Sequence, residues 1–144
     1  VKDSSLEKTL AVAEKLGVRE RMTVIPGVPK EAVPAEMSQG DIFLNTTNYD
    51  NHPVSVLEAM ACGLCVVSTN VGGLPYLIDS GSEGMLCEPG DVAGIAGSVR
   101  KVLNEPELAR KLSLNGRKKT ELLDWSVVLP MWESVFSEIL AGRR

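Results

Sequence analysis

The sequence of 144 residues is short of several things that would mark a function at once. It holds one histidine and three cysteines. With so few ligands and no second pair at zinc spacing, metal binding by Cys62, Cys65, Cys87 or His52 is not expected. An odd number of cysteines, in a chain whose opening residues do not read as a secretory leader, points to reduced thiols rather than a disulfide framework. Cys62-Gly63-Leu64-Cys65 does match Cys-x-x-Cys. Redox motifs of that form place the reactive thiol at a helix N-terminus, whereas here Cys62 ends a helix and Cys65 opens a strand, so core cysteines are expected. Apolar runs stay below the roughly 18 residues that a membrane-crossing helix needs. Basic residues gather only at Arg117-Lys118-Lys119, which reads as a solvated helix end, and the net charge is -4. Neither a nucleic-acid surface nor a polybasic membrane anchor is expected. A cytoplasmic protein without a transmembrane segment is the expectation. There is no Asp-x-Asp pair for a divalent ion, so no metal and no cofactor are expected.

What is present is a chain that is 44% hydrophobic and 24% charged, enough to bury one sizeable core, and residues 1–144 read as a single, partial domain. Helix and strand patterns alternate without repeats. Leu6, Leu10, Ala13 and Leu16 recur at helical spacing, with Ser4 and Glu7 as a capping box and Gly17 as the stop. Met22 to Ile25 reads as a strand closed by Pro26-Gly27, and a short helix around Lys30 to Ser38 carries Pro34. Asp41 to Asn45 is a second strand. A helix follows from Val54 to Met60, between Pro53, which presets the entering angle, and Gly63, which supplies a left-handed stop. Leu64 to Ser68 is apolar on both faces, as a central parallel strand is. Met85 to Cys87 is the last strand, and three helices follow: Asp91-capped to about Leu103, Pro106 to about Leu123, and about 126–140 with Pro130 near its start. This alternation predicts a Rossmann-like, doubly wound parallel α/β sheet.

The informative string runs from residue 50 to residue 75. Asp50 and Glu58 are eight positions apart, the first in a loop and the second on the helix. The first-turn amides of Val54, Ser55 and Val56 have no intrahelical carbonyl to meet, and the helix dipole adds positive charge there, so an anion such as a phosphate can sit on them. Glu58, about one turn later, can reach hydroxyls of whatever carries that phosphate. A phosphate seat beside a hydroxyl-binding carboxylate suggests a nucleotide. His52 reads as a surface or packing residue as readily as a ligand contact. Gly72 and Gly73 read as a turn or as a close backbone approach to a donor sugar or a partner domain. Gly27 and Val28, at a strand end, are candidates for a base pocket.

The string closely resembles the donor-binding, C-terminal half of GT-B type retaining glycosyltransferases, the group 1 family, whose motif reads Glu-x7-Glu. The match includes Ala59-Met60-Ala61-Cys62-Gly63-Leu64, Val71-Gly72-Gly73-Leu74-Pro75 and Asp41-Ile42-Phe43-Leu44. The resemblance implies that Asp50 lies near the donor sugar and leaving phosphate, that Val54 and Ser55 hold the diphosphate with Asn51, His52 and Pro53 beside them, and that Glu58 binds the ribose hydroxyls. Asp50 stands where glutamate is usual, Cys65 replaces a common proline, and Asn51-His52 replace a small and an apolar residue. These departures bear on sugar preference.

The implied activity is retaining transfer of a glycosyl group from a nucleotide-diphosphate sugar to an acceptor hydroxyl in polysaccharide or glycolipid synthesis, without a metal. The alternatives are a GT-B fold nucleotide-sugar epimerase and a non-catalytic remnant or binding module. The resemblance also implies two earlier strands, an Arg and a Lys that neutralise the diphosphate, and an acceptor domain. None of these has a counterpart in the chain. By itself it is expected to be inactive, with any peripheral membrane contact left to the missing half. In the order 3-2-1-4-5-6 the missing strands would lie between Met22–Ile25 and Asp41–Asn45, leaving the first helix and strand loosely held or supplied with a partner edge.

Overall fold

The computed structural model describes residues 5–142. The chain divides into two compact units, residues 1–32 and 33–144.

In the first unit, α1 spans Ser5–Lys15. It ends as the glycine predicts: Gly17 adopts φ 66, the amide of Val18 returns to the Ala13 carbonyl, and that of Gly17 to Glu14. This pairing satisfies the last carbonyls of the helix. Ser4 of the expected capping box lies outside the described residues. Of the four residues at core spacing only Ala13 is buried, and Leu6 and Leu16 are exposed. A 3-10 turn, Arg19–Arg21, follows. Met22 to Ile25 does not form the expected strand, and Val24 and Ile25 are exposed. β-branched residues favour extended backbone, but a strand exists only where a neighbour completes its ladder. The unit closes with a 3-10 turn at Lys30–Ala32.

The second unit holds the sheet. After α2, Val33–Met37, it runs β1 (Ile42–Asn45), α3 (Val54–Ala61), β2 (Cys65–Thr69), α4 (Leu74–Leu77), β3 (Met85–Cys87), α5 (Val92–Asn104), α6 (Pro106–Glu121) and α7 (Trp125–Ala141). The three strands are parallel in the order β1-β2-β3, with Phe43 opposite Val66 and Val67 opposite Met85. β2 is buried along its whole length. Alternate residues of this strand feed two cores. Val66 joins Val56, Ala59, Met60, Leu74 and Ile78 on the α3 and α4 side. Cys65 and Val67 join Cys87, Val102 and Leu112 on the α5 and α6 side. Helices on both faces of a parallel sheet make this a doubly wound α/β fold.

Each helix boundary has a local cause. Gly63 at φ 80 stops α3, with the Leu64 amide on the Ala59 carbonyl. Asp91 caps α5 through a 2.8 Å bond from the Gly94 amide, and Asp124 caps α7 by accepting from Ser126. The Ser126 hydroxyl donates to the same oxygen, and this bond first, with the amide's second, holds the Asp124 carboxyl below its ordinary pKa. Of the basic group on α6, Arg117 and Lys118 are exposed and Lys119 is half-buried. Lys119 pairs with Glu83 at 2.7 Å, and Arg117 bridges Glu121 and donates to the Ala61 carbonyl. Helix α4, a stretch without an element expected from the sequence, starts at Leu74 with Pro75 in its first turn. Helix α7 buries none of its residues, and Trp125 is 74% exposed.

Candidate functional site

The loop from Thr46 to Pro53 joins the C-terminal end of β1 to α3, which places the helix start at the strand-end side of the sheet, where open α/β folds bind ligands. Pro53 is the N-cap and is buried. Proline has no side-chain acceptor, so the first amides of α3 receive no cap from it. Val56 donates to the Pro53 carbonyl at 3.1 Å, and Leu57 to the same carbonyl at 3.3 Å. The Val56 amide is therefore occupied, contrary to the expectation from sequence. Those of Val54 and Ser55 make no hydrogen bond among the described residues. Two open N–H groups at the positive end of the helix dipole form a seat for an anionic oxygen.

On α3, Val56, Ala59 and Met60 are buried while Val54 and Ser55 are exposed. Glu58 follows Val54 by four residues and Ser55 by three, so it shares their face, and it is half-buried.

Asp50 is half-buried, and its Oδ1 accepts the His52 amide at 3.1 Å. Its carbonyl accepts the Gly73 amide at 2.9 Å. Asn51 and His52 are exposed. The structure thus brings Asp50, Asn51, His52, Pro53, Val54, Ser55 and Glu58 into one loop-and-helix element. Gly27 and Val28 belong to the other unit, in the run without regular structure after Met22, with Gly27 exposed and Val28 half-buried.

Two features are not foreseen by the sequence. Gly72 and Gly73 do make a close backbone approach, but to this chain itself, since a Cβ on either would overlap backbone atoms of Asp50 and Asn51. Thr69, buried at the end of β2, donates to the Thr47 carbonyl at 2.6 Å. A polar residue ending an apolar central strand was the available signal, because a buried hydroxyl requires a partner. Its neighbour Ser68 is likewise matched, by Asn45 at 3.1 Å.

The cysteines are free. Cys65 is buried and its Sγ donates to the Ala109 carbonyl at 3.2 Å. Burial pushes its thiol pKa up, a hydrogen bond with the Ser113 backbone counters this in part, and Asp41 adds to the rise. Such a thiol is protonated and inert, as the sequence predicts, though the main cause is desolvation rather than the helix dipole.

An open parallel sheet wound by helices on both faces, with an acid loop and an uncapped helix start at the strand ends, is the architecture of a GT-B type glycosyltransferase. A sucrose-phosphate synthase from Thermosynechococcus elongatus superimposes with a TM-score of 0.82 at 23% identity, covering 94% of this chain and 34% of that one. HepE of Anabaena, solved in complex with UDP-glucose, superimposes at 0.83 with 19% identity over 94% of this chain and 38% of its own. The chain belongs to the family described as glycosyl transferases group 1, which matches residues 3–119. Among curated relatives, the N-acetyl-alpha-D-glucosaminyl L-malate synthase of Bacillus anthracis is 27% identical over 132 residues, which are 91% of this chain and 34% of that protein. The chain spans about a third of the length of such relatives.

Proposed function

We propose that this chain forms the donor side of a retaining glycosyltransferase that moves a glycosyl group from a nucleotide-diphosphate sugar to an acceptor hydroxyl, in polysaccharide or glycolipid synthesis on the cytoplasmic side. The observation that carries this reading is the union, on one short element, of a loop carboxylate, two open helix-start amides and a second carboxylate one turn along. The Val54 and Ser55 amides stabilise the departing diphosphate as its bond to the anomeric carbon breaks, the acceptor oxygen bonds to that carbon with retained configuration, and the acceptor hydroxyl's proton passes to the leaving diphosphate oxygen. Preorganised donors of this kind act most strongly where charge develops. Asp50 orients the sugar, Glu58 holds the ribose hydroxyls, and Asn51, His52 and Pro53 border the sugar and phosphate. In this reading the acceptor-binding surface and the cations that neutralise the diphosphate belong to the about two thirds of the relatives' length that this chain does not span, and turnover is a property of the longer protein. Support comes from the family and from the UDP-glucose named with HepE.

The test is a titration of the labelled chain with the diphosphates of uridine, guanosine and adenosine, following the amide shifts of Val54 to Glu58. Saturable shifts confined to the helix start, ranked by base and lost in Glu58→Ala, are expected. The absence of shifts at millimolar ligand would overturn nucleotide binding by this chain.

A further inference from the structure

We infer that Thr69, Gly72 and Gly73, on the segment leaving β2, are positioning residues that fix the backbone of the Thr46–Pro53 loop and so set Asp50 against the open amides of Val54 and Ser55. The geometry stands on its own, and only its meaning for a donor rests on the function proposed above.

The loop is eight residues without regular structure, and Thr46, Asn48, Tyr49, Asn51 and His52 are all exposed. Within the loop the hydrogen bonds are short-range, between Thr47 and Tyr49 and between Asp50 and His52, and each residue fixed in one conformation costs about 1–2 kcal/mol of entropy. The structure opposes that cost at three points. The Thr69 hydroxyl, on a residue only 2% exposed, donates to the Thr47 carbonyl at 2.6 Å. The Gly73 amide donates to the Asp50 carbonyl at 2.9 Å. At the far end Pro53 is buried. Between the first two tethers, the Thr47 hydroxyl donates to the Tyr49 carbonyl at 3.0 Å, which folds the loop back on itself.

The glycines make the second tether available. Gly72 sits at φ +55, a left-handed conformation that side chains other than glycine rarely adopt. A methyl group on either glycine would overlap Asp50 or Asn51 backbone atoms, so the two segments meet main chain to main chain. Thr69 has a near-isosteric apolar replacement in valine, which suits a buried strand equally well in shape. The hydroxyl is therefore explained by the bond it makes and not by packing. Because the acid and the amides must face one ligand at once, a small displacement of the loop separates them, and misplacement of this sort weakens binding out of proportion to the size of the shift.

The full chain, labelled with nitrogen-15, is compared with Thr69→Val, Thr69→Ser and Gly73→Ala by amide hydrogen exchange, urea unfolding and UDP titration. In Thr69→Val the Gly73 and His52 amides exchange about tenfold faster and UDP binds about tenfold more weakly, the loss expected of one buried hydrogen bond, while amides of α5 and α6 keep their protection. Thr69→Ser restores both loop readouts. Unchanged exchange at Gly73 and His52 in Thr69→Val overturns the inference, and so does faster exchange spread evenly over the whole sheet. If Gly73→Ala does not fold, the threonine pair carries the test. Faster loop exchange in a chain that binds no UDP supports the positioning role and counts against the donor reading alone.

Discussion

The carboxylate of Asp50 accepts the backbone amide of His52 at 3.1 Å. An aspartate closes this turn on the amide two residues ahead, and a side chain longer by one methylene does not close the same ring. The acid that stands here thus spends one oxygen on its own loop, while the other makes no hydrogen bond among the described residues.

Substitution separates geometry from charge at this position. Asp50→Asn keeps an acceptor oxygen at the same reach, so the His52 amide stays protected from exchange. Asp50→Glu loses the turn, and the same amide exchanges several-fold faster. Hydrogen exchange on the folded chain reads both, and equal loss in the two variants would mean that charge, not reach, holds the loop.

Met60 is fully buried between α3 and the sheet, and Gly116 of α6 packs against its side chain. Met60→Ala empties that space and leaves a cavity, at a cost of about 2–5 kcal/mol. Urea unfolding measures it. A cost below about 1 kcal/mol would show that α6 collapses onto the vacancy.

The cap of α5 is a single side chain. Asp91→Ala strips the Gly94 amide of its 2.8 Å acceptor and lowers stability by about 1 kcal/mol, whereas Asp91→Asn retains most of it. Thermal unfolding of the pair distinguishes capping from a general charge effect.

Burial raises the Cys65 thiol pKa above the ordinary 9.0. The folded chain then holds this proton more tightly than the unfolded chain, and the linked stability is intact below the unfolded value and declines as pH rises through about 9 toward the folded one. Urea midpoints measured from neutral to alkaline pH follow that decline, and Cys65→Val removes its part of it. In the native state at neutral pH, a thiol reagent modifies half-buried Cys62 before Cys65.

Much of the sheet and its helices is legible in the sequence because the signals are local. Pro53 and Gly63 bound α3, Asp91 caps α5, and the unbroken apolar run of β2 reads as a strand covered on both faces. Met22 to Ile25 shows the limit of such reading. Its residues carry strand propensity, but propensity does not supply the neighbour that completes a ladder. Exposed Leu6 of α1 and Leu16 just after it make the same point for helices, since an apolar stripe states which face could be buried and not what covers it.

The candidate site divides along the same line. The order of acid, helix start and second acid is sequence, and helical periodicity alone sets Glu58 on the face of Val54 and Ser55. Occupation of the Val56 amide by the Pro53 carbonyl and the turn made by Asp50 are local contacts, whereas the approach of Gly72 and Gly73 to the Asp50 and Asn51 backbone and the bond from Thr69 to the Thr47 carbonyl were decided by tertiary structure. The reason is physical. Spacing along a chain determines which groups share a helix face, whereas a loop takes its shape from partners more than 20 residues away, and those partners exist only once the sheet has brought the ends of β1 and β2 together.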